Sequence, residues 1–495
     1  MSAERTAPSL TDKAVRSVPW TLASYGGSKA LTLATTAVLA HLLVPADFGL
    51  ITLALLVVFL VNLIGGLGLG GVIILRENPR DEAQGTILTL LVGTGATLAI
   101  LLAALSHPIA AAFRAPRLAG PLAALAVMVL WSGVSWFYET VLMREFEFRR
   151  RFISITLQTL VYGATAIALA VLGAGVWSLV AGVIAGAAAY TLALVWLTPY
   201  RVRPAFRLAI ARDVLSTGRG FLLQGGTAFL QQNADYLAVG RVLGTTQLGF
   251  YSMAYRLSEF PYLAIADPVA KVTFPTFARM RGQAQAIAPA FLWALRLVAL
   301  VACPIGVVLS AAGTPLVAVV FGRNWLPTVG ALSVLGIWAA VRPLEATASW
   351  LLNAVGEATS MGVVSAALLV PLVPLLVAVA HWGGIMAVAW LMLGHLLVTL
   401  IVVCLLIQRR VGIALGDQWR AIQPVVIASA AAWVVARALA DALRDSPPLL
   451  AFGAAASAAL AAYAAVLWLA DPGLPRAAFR YLGQAIGRAP AGAPS

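Results

Sequence analysis

Stretches of about 20 predominantly apolar residues, the length that crosses a bilayer as a helix, follow one another along this chain with short polar connections. They fall near residues 18–43, 48–75, 85–106, 118–142, 152–172, 175–198 and 213–240. A second series lies near 249–275, 287–311, 326–352, 358–380, 383–407, 420–441 and 447–471. A backbone in lipid must pair its own N–H and C=O groups, so runs of this length predict helices rather than open strands. Composition agrees, with 61% hydrophobic and 11% charged residues, whereas soluble domains carry about 25% charged residues. The expected fold class is all-α, a polytopic membrane protein of about fourteen transmembrane helices. Residues 1–17 are polar, and the apolar stretch after them is too long for a signal peptide and has no small-residue cleavage site, so it is expected to remain as the first span.

The net charge of +14 lies mostly in the connections, without the interleaved aromatics of a nucleic-acid surface, so no nucleic-acid partner is expected. Alternating connections collect 21 Lys and Arg on one side of the membrane, against Arg114, Arg117, Arg241, Arg323 and Arg444 on the other. By the positive-inside rule this predicts cytoplasmic N- and C-termini and an even number of spans.

A repeat organises the pattern further. His41-Leu42-Leu43-Val44-Pro45-Ala46-Asp47-Phe48-Gly49-Leu50 returns two hundred positions later as Arg241-Val242-Leu243-Gly244-Thr245-Thr246-Gln247-Leu248-Gly249-Phe250, and Ala54 is matched by Ala254. Duplicated helical bundles are a common transporter architecture. The expectation is one six-helix lobe at 1–200 and a second, pseudo-symmetric one at 201–407, with two extra helices and a cytoplasmic tail at 408–495. The Arg-rich stretch 199–212, with Pro199 and Pro204, reads as the linker.

Seven cations remain inside the predicted helices, Lys29, Arg219, Arg256, Lys271, Arg296, Arg342 and Arg437, together with Glu139, Asp235, Glu259, Asp267, Glu345 and Asp441. Each cation costs about 2.5–3.5 kcal/mol at mid-bilayer on insertion scales. Arg256/Glu259 and Arg342/Glu345 stand three residues apart, Asp267/Lys271 and Arg437/Asp441 four, all at ion-pair spacing. Arg437/Asp441, near a helix end, reads as structural; Arg256, Arg342, Glu259 and Glu345 lie near mid-span and are candidates for function. Lys29, Arg219, Arg296, Glu139 and Asp235 have no partner on their own helix and need water, another helix or a ligand. Tyr25, Lys29, Thr32 and Thr36 form a polar stripe at helical period on the first helix, and Gln224, Thr227, Gln231 and Asp235 form one on the seventh. A central aqueous cavity needs such stripes, and interhelical hydrogen bonding in a dry bundle is the other reading. The substrate-binding candidates are therefore Lys29, Arg256, Arg296, Arg219, Tyr25, Thr32, Gln224, Gln231 and Arg342, and the ion-coupling candidates are Asp235, Glu259 and Glu345.

Other motifs carry no chemistry. Gly66-Leu67-Gly68-Leu69-Gly70-Gly71 matches a dinucleotide-binding pattern but follows no strand and lies in an apolar helix. His41, His107, His381 and His395 lack metal-ligand spacing, Cys303 and Cys404 sit in apolar stretches, and no nucleotide-binding P-loop occurs. No metal, no cofactor and no enzymatic activity are expected.

Several segments resemble the oligosaccharide flippase (polysaccharide transporter) family of the MOP superfamily, to which lipid II flippases and multidrug MATE exporters belong. They are Leu42-Leu43-Val44-Pro45-Ala46-Asp47-Phe48-Gly49, Leu142-Met143-Arg144-Glu145-Phe146-Glu147-Phe148 and Gly175-Val176-Trp177-Ser178-Leu179. The run from Leu248-Gly249-Phe250-Tyr251 through Phe274-Pro275 and the segment Phe321-Gly322-Arg323-Asn324-Trp325-Leu326-Pro327 complete the set. The resemblance implies twelve helices in two pseudo-symmetric lobes around a V-shaped cavity, plus two appended helices. It implies undecaprenyl-diphosphate-linked oligosaccharides as substrate, with cations on the first and eighth helices, here Lys29 and Arg256, binding the diphosphate. The expected function is a flippase of the bacterial inner membrane that moves such repeat units by alternating access for exopolysaccharide or lipopolysaccharide export. Membrane lipids, a polysaccharide polymerase and glycosyltransferases would be its partners. The alternatives are an ion-coupled MATE-like multidrug exporter and a non-transporting scaffold of a polysaccharide synthesis complex.

Overall fold

The computed structural model describes residues 27–28, 31–66, 81–145, 147–198, 202–262 and 267–471. Among them there is no strand. In the order of the chain, α1 (Leu31–Leu42) is followed by α2 (Pro45–Gly65), α3 (Asp81–Ala104), α4 (Ser106–Ala112), α5 (Ala119–Arg144), α6 (Phe148–Val171), α7 (Val176–Leu197), α8 (Leu208–Val242) and α9 (Gly244–Pro261). Then come α10 (Asp267–Arg279), α11 (Ala284–Ala311), α12 (Gly313–Val320), α13 (Thr328–Val355), α14 (Ala358–Val411), α15 (Leu415–Ala442) and α16 (Pro448–Ala470). Ten of the described helices are long and apolar enough to span a bilayer, so the protein is an all-α, multi-pass membrane protein. The chain divides into two compact units, Met1–Ser252 and Met253–Ser495.

In the first unit both copies of the ten-residue repeat meet. Val44 is extended and Pro45 opens α2, a position where its missing N–H is not needed. A Cβ on Gly49 would fall 1.7 Å from the Thr245 carbonyl oxygen, and one on Gly249 would fall 1.9 Å from that of Pro45. Pro45 and Thr245 are equivalent in the repeat, as are Gly49 and Gly249, so each copy presents its glycine to the other copy's helix start. This reciprocity defines a local two-fold relation. Close backbone approach through glycine is a general way to join helices where lipid supplies no hydrophobic driving force.

The duplication extends well beyond these residues. The connection after α3 contains α4, Arg114 at φ 52° and a 3₁₀ turn at Pro116–Leu118; the connection after α11 contains α12, Gly322 at φ 91° and a 3₁₀ turn at Arg323–Trp325. Inside the first unit α3 crosses α5 with Gly133 against the Leu91 carbonyl. Inside the second α11 crosses α13 with Gly306 against the Gly336 carbonyl. Gly175 (φ 56°, ψ −133°) precedes α7, and Gly384 (φ 63°, ψ −155°) interrupts α14. Both conformations are positive-φ backbone that glycine adopts far more readily than other residues. Because Gly384 breaks the 54-residue α14, it is two helical arms, as the predicted spans 358–380 and 383–407 require.

In the second unit α11 is the central contact. It packs on α13 and on α15, which in turn packs on α16. Ala428, Ala432, Ala436 and Ala440 of α15 and Ala451, Ala455 and Ala459 of α16 are buried at four-residue spacing, so a methyl-sized seam joins the two Ala-rich helices. Polar ties secure them: Trp433 Nε1–H donates to Ser310 Oγ at 3.0 Å, and Tyr463 O–H donates to the Leu300 carbonyl at 2.9 Å.

Some predicted boundaries change. The span expected at 249–275 is described as α9 up to Pro261 and α10 from Asp267, and residues 263–266 between them lie outside the described residues. The connections 107–117 and 312–325 are not plain loops but carry α4, α12 and the 3₁₀ turns. Helix α2 ends at Gly65 with Gly66 as its cap, and the rest of the predicted run to 75 lies outside the described residues, as does residues 67–71 of the glycine-rich motif.

Gly49→Ala and Gly249→Ala should each destabilise the protein by about 3 kcal/mol or more, since the opposing backbone has no rotamer with which to yield. Gly93→Ala, with no atom within 4 Å of the added methyl, should be neutral or stabilising by up to about 1 kcal/mol. Thermal melting of the purified variants in one detergent checks the contrast.

Candidate functional site: buried carboxylates and half-open cations

In the first unit the polar stripes predicted on α8 and α1 are each described in part. Asp235 on α8 is buried; its Oδ1 accepts the Tyr236 backbone N–H at 2.8 Å, and its Oδ2 accepts the Tyr251 O–H of α9 at 2.8 Å. The Tyr236 and Tyr251 rings meet edge to face, 5.8 Å between centroids. Gln231, one turn before Asp235, is half-buried, as is Thr227. On α1, Thr32 donates to the Ser28 carbonyl at 2.7 Å and Thr36 to the Thr32 carbonyl at 2.8 Å. Thr32 and Thr36 thus satisfy their hydroxyl protons within their own helix and keep oxygen lone pairs as acceptors.

The second unit holds a charged constellation. Arg342 on α13 pairs with Glu345, one turn along the same helix. The other Glu345 oxygen accepts Ser349 O–H at 2.6 Å, and the guanidinium carbon sits 4.9 Å from the centre of the Tyr262 ring. Tyr255 packs on Trp338, 5.2 Å between centroids. Glu259 lies within electrostatic reach of Arg342, and His395 of α14 within reach of both Arg342 and Glu345. The side chain of Arg342 is 31% exposed and that of Glu345 is 8% exposed. The carboxylate is covered, and the charge open to a ligand is positive.

The expected ion pairs divide. Arg342/Glu345 and Arg437/Asp441 (2.9 Å) form as their spacing predicts. Among the described residues no ion pair joins Arg256 to Glu259, although both are half-buried on α9. Favourable i,i+3 spacing places Cβ atoms near each other and does not fix where two long side chains end. Arg296, which lacks a partner on its own helix, is paired by Asp471 just beyond α16. Glu139 is paired by Arg151 at 2.8 Å, from α5 to α6. Neither pairing was visible in local spacing, since one joins residues 175 positions apart and the other 12. Lys29 and Tyr25 lie outside the described residues; so do the side chains of Arg219, Gln224, Asp267 and Lys271, whose helices are described. His395 and Tyr262 had no distinguishing sequence signal, because each owes its place to folding around α13, whereas Ser349 follows Glu345 by four residues on α13 and its i,i+4 spacing could have found it. The cysteines 303 and 404 are free thiols.

A family model described as "Polysaccharide biosynthesis protein" matches residues 38–330, more than half of the chain. The protein belongs to this family. It is 27% identical over 335 residues to the succinoglycan biosynthesis transport protein ExoT of Rhizobium meliloti, covering 66% of this chain and 67% of that one. It is 26% identical over 388 residues to the teichuronic acid biosynthesis protein TuaB of Bacillus subtilis, covering 77% of this chain and 80% of that one. The structure resembles the lipid II flippase MurJ in an inward closed conformation, with a TM-score of 0.74 at 13% identity, over 91% of this chain and 98% of that one. At that identity the likeness is one of fold, and it is the fold the sequence resemblance implied.

Tyr251→Phe removes one donor from the buried Asp235 carboxylate. It should lower stability by about 1–3 kcal/mol, read as a reduced melting temperature with an unchanged helical circular dichroism spectrum.

Proposed function

We propose that this polysaccharide biosynthesis protein is a flippase that moves undecaprenyl-diphosphate-linked oligosaccharide repeat units from the cytoplasmic to the outer leaflet of the bacterial inner membrane. The observation that carries the reading is Arg342. In an apolar unit, a half-open guanidinium is held by a covered carboxylate, and a site of that polarity attracts a diphosphate rather than a cation. The family match, the transport function in the name of ExoT and the MurJ-like fold support the same reading.

In physical terms, the arginine edge that Glu345 leaves free forms charge-assisted hydrogen bonds to phosphate oxygens. Hydroxyl and amide groups such as Thr32 and Gln231 hydrogen-bond sugars, and the polyprenyl chain stays in lipid. Lys29 and Arg256, on the helices where the family carries its diphosphate cations, are further contacts, with Arg219, Gln224 and Tyr25 as secondary ones. Asp235, Glu259 and Glu345 are the groups through which an ion gradient would act. Arg296 is the weaker candidate, because Asp471 already neutralises it. The halves 1–200 and 201–407 alternate access, both termini face the cytoplasm, no bond is made or broken, and the polymerase and glycosyltransferases of the polymer act before and after the step. The covered carboxylates Asp235 and Glu345 argue against an exporter of small cations, which would present open acids.

Deleting the gene should stop polymer export and leave lipid-linked repeat units on the cytoplasmic leaflet, scored by periodate or lectin access in intact spheroplasts. Complementation with Arg342→Gln/Glu345→Gln, which removes the cation without leaving a buried unpaired charge, should restore less than about a tenth of export, the loss of one charge-assisted contact worth 1.5–3 kcal/mol. Full export by the double variant at normal protein level would remove Arg342 from the site. Repeat units that still reached the outer leaflet in the deletion strain would refute the flippase and leave the scaffold.

A further inference from the structure

Three chain connections of the second unit converge on one small pocket, away from the Arg342 constellation. The segment after α10, the link between α13 and α14 and the end of α14 border a half-open pocket of about 300 Å³ lined by Arg281, Gln283, Glu357 and Arg410 with apolar walls from Ile287 and Val355. Its charges are sorted in a definite way. Glu357 is occupied on both oxygens, by Arg410 Nε at 3.6 Å and by Ser360 O–H at 2.5 Å. Among the described residues Arg281 makes no ion pair, so its charge is not spent on Glu357.

Arg281 is nonetheless held in place. Its guanidinium lies against Gly356, where an added Cβ would stand 2.6 Å from Nη2 and 3.0 Å from Cζ. Gly356 is the left-handed cap of α13 at φ 97°, and Gly282 beside the arginine stands at φ 83°. Two glycines therefore form the seat and the turn that carry the cation. Helix dipoles do not decide the sign of the pocket, because the starts of α11 and α14 and the ends of α13 and α14 all border it. The arginines do, and Arg279 and Arg409 lie exposed next to them. The pocket lies at the ends of helices long and apolar enough to span a bilayer, and the connections after α10 and α14 are among those that gather Lys and Arg. Basic pockets between helix ends on that side suit lipid phosphates.

We propose that this pocket is a binding site for a phosphate oxyanion, with Arg281 as the primary contact and Gln283 and Arg410 beside it. A phosphodiester of an anionic bilayer phospholipid and a soluble phosphate share this chemistry, and the site is independent of the transport reading above. The carboxylate of Glu357 holds Arg410 at the rim and disfavours a second anion, which limits the site to one phosphate group.

The test uses the full-length protein in detergent. Native mass spectrometry with equimolar phosphatidylglycerol and phosphatidylcholine reads the lipid arm, and thermal stabilisation by inorganic phosphate reads the soluble arm. Wild type should retain phosphatidylglycerol, and Arg281→Gln should lose about fivefold of that retention, the worth of roughly one surface charge. Arg281→Lys should keep most of it, and Arg444→Gln, an exposed cation on another connection, should change nothing. Stabilisation by inorganic phosphate that Arg281→Gln abolishes, without a lipid preference, would assign the site to soluble phosphate. Equal phosphatidylglycerol retention and equal phosphate response in wild type and Arg281→Gln would overturn the proposal. If Arg281→Gln failed to fold, Arg410→Gln gives the same readings on the second arginine.

Discussion

The reciprocal contact of Gly49 and Gly249 is the constraint on which the first unit depends. Each glycine admits the carbonyl of the other repeat to a distance where even one methyl group has no room, and the helix starts of α2 and α9 come together as a result. The aromatic and polar groups around them follow: Tyr251, two residues after Gly249, is placed to reach Asp235, and the Tyr236 ring meets it edge to face. A structure that lacks a hydrophobic force between helices obtains its specificity from such backbone-to-backbone fits. The same device recurs where α3 crosses α5 and where α11 crosses α13, each time through glycine against a carbonyl.

Much of the fold was legible in the sequence because one strong physical rule, the length of an apolar span, decides where helices lie. The repeat was legible only as a faint echo, since Leu43/Leu243 and Gly49/Gly249 are few identities. Its further traces, Arg114 with Gly322 and Gly175 with Gly384, are conformations rather than residue matches, and φ is not written in a sequence.

The charged groups were less legible. Periodicity found Arg342 with Glu345 because both lie on one helix face, and it missed Arg296 with Asp471 because their meeting depends on how α16 lies against α11. It also expected Arg256 with Glu259, whose spacing allows a pair that the surrounding helices do not enforce. Local spacing constrains where side chains begin, whereas tertiary packing decides where they end.

The pair on α13 has an electrical consequence. Arg342 and Glu345 together carry no net charge, so carrying the pair across part of the bilayer does no work against the membrane potential, whereas a single charge crossing it fully exchanges about 2.3 kcal/mol per 100 mV. Their neutrality lets α13 move without a voltage penalty as long as the two stay together. An anion bound to the guanidinium would give the assembly a net negative charge, and from that moment the field across the membrane would act on the loaded protein differently from the empty one.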